Sequence, residues 1–259
     1  MIDSGAPGTG EYRLRQGRPL RYGAASETGH VRLTNEDAYA LFPEHGLFVV
    51  ADGLGGHAGG EIASRTAVRA MGDFYLATGE GELPNGADAR GRVEAAIKFA
   101  NTIIWNMALD DDELGGMGTT VAVIAVDAMS RRVVAAHVGD SRIYRFSEGK
   151  MVRLTRDHSL ARLLFLSDRE AKQSAVGSTL FRALGTRSTV EVDISEQVAL
   201  AGDRFVLATD GLTHELGDKE IESLVLASEA GPAETARRLV AAALRKGGRD
   251  NVTVVVADV

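Results

Sequence analysis

With 259 residues, 44% of them hydrophobic and 25% charged, the chain has ordinary globular composition and enough length for a full core. The complete lack of cysteine excludes disulfides, thiolate zinc sites and a cysteine nucleophile in one step. A net charge of -7 with interleaved acids and bases gives no basic stripe for nucleic acid, and no apolar run approaches the ~18 residues of a membrane span.

Residues 1–19 carry Gly, Pro and scattered Arg with no apolar signal core, which reads as a flexible leader on a cytoplasmic protein and leaves residues 20–259 as one domain. The first strand is predicted over Leu47 to Ala51, an apolar run bounded by Gly and Asp. A helix follows over Glu61 to Tyr75, where Ala63, Ala67, Ala70, Met71 and Phe74 share one face. A second repeats the pattern with Val93, Ala96, Ile97, Ala100, Ile104 and Met107. Strands are then expected at Thr120 to Val126, Val133 to Val138, Ile143 to Phe146 and Phe205 to Ala208. A third helix opens at Pro232, buries Ala236, Leu239, Val240 and Ala243, stops at Gly247 and Gly248, and feeds a last strand over Val252 to Ala257. Only short turns separate the strands from Thr119 to Leu154, so an antiparallel meander is expected and the class is α+β, with packed sheets and helices outside.

One local echo stands out, Val50-Ala51-Asp52-Gly53-Leu54 against Ala208-Thr209-Asp210-Gly211-Leu212. Either Asp-Gly alone reads as a hairpin turn. Further acids stand at strand boundaries in Asn35-Glu36-Asp37, Gly139-Asp140-Ser141-Arg142 and Arg249-Asp250-Asn251, and the set together points to a site. Carboxylates that converge repel unless cations neutralise them, and oxygen-only ligands select hard ions such as Mg²⁺ or Mn²⁺. Two such ions activate a water for in-line displacement, which makes phosphate ester hydrolysis without a covalent intermediate the natural chemistry. Arg32 would grip the phosphate through a bidentate fork, or else be a solvated surface arginine. Three other readings carry less. Gly53-Leu54-Gly55-Gly56-His57-Ala58 fits a dinucleotide-binding loop, but Asp52 would face the pyrophosphate. Ser141 lacks the closing glycine of a nucleophile elbow. His57, His137 and His158 lack zinc-site spacing and read as hydrogen-bonded structural histidines.

In order, the chain carries Val31-Arg32-Leu33-Thr34-Asn35-Glu36-Asp37, Ala51-Asp52-Gly53-Leu54-Gly55-Gly56-His57, Gly59-Gly60-Glu61 and Gly116-Met117-Gly118-Thr119-Thr120. His137-Val138-Gly139-Asp140-Ser141-Arg142, Thr155-Arg156-Asp157-His158-Ser159, Arg182-Ala183-Leu184-Gly185-Thr186, Thr209-Asp210-Gly211-Leu212 and Arg249-Asp250-Asn251-Val252-Thr253 complete the series. This ordered set resembles the type 2C metal-dependent protein serine/threonine phosphatases, the PPM family, and its compact bacterial members above all. The resemblance implies an αββα four-layer sandwich, two antiparallel sheets flanked by helices. It implies Asp52 between two metals, the Gly53 carbonyl on the first, and Asp210 and Asp250 on the second. It further implies Glu36 and Asp37 orienting water, Arg32 on the substrate phosphate, and Asn251 supporting the second metal's ligands. Asp140 with Asp210 resembles the pair that holds a third, weaker metal in bacterial relatives. Mn²⁺ or Mg²⁺ is thus the expected cofactor and a phosphorylated protein, the target of a Ser/Thr kinase, the expected substrate. No nucleic-acid or membrane partner is expected, and the chain is expected to act as a monomer.

Two departures from the family stand out. Leu54 occupies the position of a histidine that serves animal members as general acid, so the leaving-group proton is expected from a water on the ion at Asp140 in preference to His57. The family's flap, between His158 and Arg182, is a few residues short here. Its run Leu163-Leu164-Phe165-Leu166 is expected to pack in the core, with a docking patch as the alternative.

Overall fold

The computed structural model describes residues 2–3, 9–13, 19–54, 58–78, 88–127, 130–164, 179–227 and 229–259. In chain order its strands begin with β1 (Ile2–Asp3), β2 (Thr9–Arg13), β3 (Pro19–Glu27), β4 (Asp37–Phe42), β5 (Leu47–Leu54) and β6 (Gly118–Thr119). They continue with β7 (Val121–Asp127), β8 (Arg132–Val138), β9 (Arg142–Ser147), β10 (Lys150–Arg153), β11 (Asp193–Val198), β12 (Arg204–Ala208) and β13 (Val252–Asp258). The helices are α1 (Ala58–Thr78), α2 (Ala89–Asp110), α3 (Leu160–Leu163), α4 (Asp210–Glu215), α5 (Asp218–Leu226) and α6 (Pro232–Lys246).

Two antiparallel sheets result. One runs β1-β4-β5-β7-β8-β11 with β6 on the end of β5, and the other runs β10-β9-β12-β13-β3-β2. Within the stretch expected as a leader, β1 pairs with β4 and β2 with β3. Side chains alternate along each strand, and that alternation builds the layers. Along β5, Leu47, Val49 and Ala51 pack under α1 and α2, while Phe48 and Val50 face the other sheet. Phe205 and Leu207 of β12 meet them there, and Val206 and Ala208 pack on the opposite face against Leu212, Ile221 and Leu239 of α4, α5 and α6. Each such side chain, fully buried, stabilises the fold by about 1.5–3 kcal/mol. The expected αββα sandwich is the architecture observed.

Carrying the same alternation one step past the apolar residues places the polar ones. Asp52 continues the inter-sheet row of Phe48 and Val50; Asp37 precedes Tyr39 and Leu41; Thr209 follows Leu207; and Thr253 precedes Val255. All four stand where the inter-sheet core ends.

The structure corrects the expected meander. β7 pairs with β8 in one sheet and β9 with β10 in the other, so the chain changes sheets across Gly139, Asp140 and Ser141. Three extended residues span about 10 Å, the spacing of packed sheets, so a short turn can cross between layers as readily as it reverses a strand. Gly139 permits the crossing with a φ of +104°. Leu163 and Leu164 are 52% and 60% exposed, which removes core packing as their explanation; Phe165 and Leu166 lie outside the described residues. The antiparallel neighbours of β5 also rule out the parallel unit that a dinucleotide loop requires. Among the described residues no helix is long and apolar enough to cross a membrane.

Candidate metal centre

Neither Asp-Gly echo is a hairpin turn. β5 continues through Asp52 and Gly53, which pairs with Thr119, and Asp210 opens α4 directly after β12. Neither Gly53 nor Gly211 has a positive φ. Both are needed for close approach. A Cβ on Gly53 would collide with the Gly60 carbonyl at the start of α1, and one on Gly211 with the Asn251 carbonyl. The missing side chains let two strand ends and two neighbouring segments come together, each carrying an acid.

Asn251 stitches the centre from behind. Its amide donates to the carbonyls of Thr28 (2.8 Å) and Thr34 (2.9 Å), and its Oδ1 accepts from the Glu36 N–H (2.8 Å). The loop bearing Arg32 and Glu36 is thereby tied to the segment bearing Asp250. Thr120 ties the other side, since its Oγ1 accepts from the Asp52 N–H (3.0 Å) and bonds Ser141 Oγ (2.7 Å) beside Asp140. Gly53 donates its N–H to the Glu36 carbonyl at 3.1 Å. The carboxylate of Glu36 lies against Gly60, where a Cβ would come within 2.8 Å of Oε2.

Asp37 and Asp52 are direct cross-strand partners, and Asp37 is 1% exposed. Thr209 Oγ1 donates to Asp37 Oδ2 at 2.8 Å, while Oδ1 is buried without a hydrogen-bond partner. Burial, opposed by the Thr253 and Thr209 hydroxyls and helped by the charges of Asp210 and Asp250, pushes the Asp37 carboxyl up to about 7. Burial and then the charges of Asp210, Asp37 and Asp140 push Asp52 well above the carboxylate range. Asp140 rises in the same way, from burial first and then Asp210 and Asp157. These acids share one low-dielectric space and cannot all ionise there unaided.

Asp250 joins the group from the other sheet. Arg32, its side chain 49% exposed, closes a fork on it with Nε to Oδ1 and Nη2 to Oδ2 both at 2.9 Å. The sequence did not show this pairing of an expected phosphate ligand with an expected metal ligand. Sequence reasoning also passed over His214, whose Nδ1 lies 3.4 Å from Asp210 Oδ2. Ligand atoms of Asp210, His214 and Asp250 fall within 4.8 Å of one another. The signal was available, because residues four apart on a helix share a face. Leu54 pairs with Gly118, and His57 lies outside the described residues.

A second cluster, His137, His158 and Asp193, also brings ligand atoms within 4.8 Å, but its hydrogen bonds show a different use. His158 Nδ1 accepts from the Gly139 N–H (3.1 Å), which puts the ring proton on Nε2, 3.2 Å from Asp193 Oδ2. A protonated nitrogen cannot ligate a metal. His137 stacks on the ring with centroids 4.5 Å apart and bonds the Arg156 carbonyl through Nε2 (2.8 Å). Arg182 supplies the charge that Asp193 needs, at 2.6 Å. Both histidines are structural, as the sequence suggests, and His158 holds the turn that carries Asp140.

The family profile described as protein phosphatase 2C matches residues 27–246, which leaves Asp250 and Asn251 just beyond the matched span. The serine/threonine protein phosphatase PstP of Mycobacterium tuberculosis is 38% identical over 244 residues, covering 93% of this chain and 45% of that protein. This chain therefore spans about half the length of that curated relative. The serine/threonine phosphatase stp of Listeria innocua is 35% identical over 240 residues, covering 90% of this chain and 93% of that protein. Among solved structures, the catalytic domain of the serine/threonine phosphatase PstP in complex with two manganese ions superposes with a TM-score of 0.79 at 35% identity, covering 92% of this chain and 97% of that one.

Proposed function

This chain belongs to the protein phosphatase 2C family, and from that premise we propose that it hydrolyses phosphoserine and phosphothreonine esters in proteins, using Mn²⁺ or Mg²⁺ held by its acidic centre. One observation carries the reading: Asp37, Asp52 and Asp140 are all pushed up by burial and then by the charge of Asp210, with Asp37 Oδ1 buried and partnerless, so the fold gathers acids at one place that its own groups do not fully balance. The donor set fits hard divalent ions, being carboxylates and a backbone carbonyl. Asp52 would lie between two ions, the Gly53 carbonyl would hold the first, and Asp210 and Asp250 the second. Asp140 with Asp210 would hold a third. When bound, the ions supply charge balance and a water acidic enough to attack phosphorus at neutral pH.

The chain's own groups do the rest. Asp37 Oδ1 and the Glu36 carboxylate are the acceptors that would orient the attacking water. Arg32 would bind substrate phosphate with the same two-pronged geometry it now applies to Asp250. Asn251 keeps Arg32 and Glu36 in register with Asp250. On the same reading its substrates are products of Ser/Thr kinases and its site of action is the cytoplasm. The test is hydrolysis of a phosphothreonine peptide with Mn²⁺, with and without chelator. Activity that chelator abolishes is expected, and activity insensitive to it overturns the proposal.

A further inference from the structure

The outer edge of the centre holds one donor of a different chemistry. Asp52, Gly53, Asp140, Asp210 and Asp250 all offer oxygen; His214 offers nitrogen. α4 brings it there, since Asp210 and His214 are four residues apart on one short helix and face the same side. The next residue fixes the spacing to Asp250. Glu215 accepts from the Arg249 N–H at 3.3 Å and meets Arg249 Nε at 3.6 Å, holding the end of α4 to the segment that leads into Asp250. The contact at Gly211, where a Cβ would collide with the Asn251 carbonyl, presses the start of α4 onto the same segment. Ligands about 2.0–2.2 Å from one ion lie about 3–4.5 Å apart, and the Asp210, His214 and Asp250 atoms lie within 4.8 Å.

We propose that His214 ligates the outer metal ion together with Asp210 and Asp250, and that this nitrogen makes the position selective for Mn²⁺ and other first-row transition ions over Mg²⁺. The proposal rests on the metal-dependent reading above. Imidazole suits transition ions, whereas Mg²⁺ favours oxygen ligands and water. Arg32 competes for Asp250 and gives up at least one carboxylate oxygen when an ion arrives. His214 is half-exposed, so its removal leaves the packing intact.

Pulsed electron paramagnetic resonance of the Mn²⁺-loaded chain reads the ligand directly. A ¹⁴N coupling from a bound imidazole is expected in the wild type and is expected to vanish in His214→Ala, with the Mn²⁺ over Mg²⁺ affinity ratio from equilibrium dialysis falling about tenfold. Mn²⁺ that binds with no ¹⁴N coupling, a coupling that survives in His214→Ala, or an unchanged affinity ratio overturns the role of His214 while leaving the metal-dependent reading in place. Mn²⁺ that fails to bind the wild type overturns both.

Discussion

Asp140 and Asp157 are neighbouring acids, both largely buried, and they titrate in opposite directions. Asp140 is pushed well above the carboxylate range by burial, Asp210 and Asp157. Asp157 is held below it, because Arg142 forks onto it (Nε to Oδ1 3.1 Å, Nη2 to Oδ2 2.7 Å) and Arg153 bonds it as well. Burial raises both, so burial does not separate them. What separates them is whether the chain supplies the opposite charge. The layer of Asp157, Arg142, Arg153, His158, Asp193 and Arg182 is complete in itself. The layer of Asp37, Asp52, Asp140 and Asp210 faces mainly its own kind, and on the proposed reading it is bound ions that complete it.

Removing one acid from the incomplete layer should have the largest effect. Asp210→Asn should cost at least ~100-fold in Mn²⁺ affinity and nearly abolish phosphopeptide turnover. Without metal, the same variant should melt about 2–4 °C higher for each 1 kcal/mol of repulsion relieved. Calorimetry on the ion-free protein decides this, and a lower melting temperature would show that Asp210 is already balanced within the chain.

Removing a cation from the complete layer should do the opposite. Arg142→Ala leaves Asp157 buried beside one arginine instead of two, and should destabilise by about 3–5 kcal/mol. Urea unfolding with an unchanged midpoint would contradict the view that Asp157 depends on Arg142.

His158 gives the complete layer a pH limit. Burial first, and then His137, lower its pKa from 6.5 to about 4, although Asp193 opposes the shift. Between those values the unfolded chain binds the proton that the folded chain refuses, so stability is full above about pH 6.5 and falls as pH drops towards 4. The loss is at most about 3 kcal/mol. His158→Asn keeps an acceptor for the Gly139 N–H but cannot titrate. Its thermal unfolding should therefore be flatter than wild type across that window, and parallel curves would remove His158 as the cause.

The smallest effect is expected at the seam between the layers. Arg32→Ala should raise KM for a phosphopeptide about tenfold with little change in kcat, as for a group that binds ground and transition states alike. Unchanged kinetics would leave Arg32 as a partner of Asp250 alone.

The sequence showed the strands built from contiguous β-branched residues, as in Val252–Asp258, and missed those whose form depends on a neighbour. β3 is one. Gly23, Ala24, Ala25 and Ser26 carry no β signal, and Gly23 and Ala25 are small because α6 packs on their face, so closely that a Cβ on Gly23 would collide with Ala233. β11 is another, since Asp-Ile-Ser-Glu-Gln-Val is polar and lies on a sheet edge. At the centre, the acids could be read from their places at strand ends. The fork of Arg32 on Asp250 could not, nor could the change of sheet at Asp140, because a one-dimensional pattern does not say which layer a short turn enters.

The bonds that join the Arg32–Asp37 segment to the Asp210 and Asp250 side of the centre share a property of chain topology. Arg32 and Asp250 are 218 positions apart, Glu36 and Asn251 215, and Thr209 and Asp37 172. No fragment of moderate length contains both partners of any of these three bonds, so this join cannot form locally, although nearer pairs such as Thr120 and Ser141, 21 positions apart, can. Contacts of such separation form only after long loops have closed, a cost that places them late in folding. In refolding, catalytic competence should therefore emerge with the slowest phase that consolidates the sandwich, while helical signal returns earlier, and a nascent chain should hold no working centre until β13 has been synthesised.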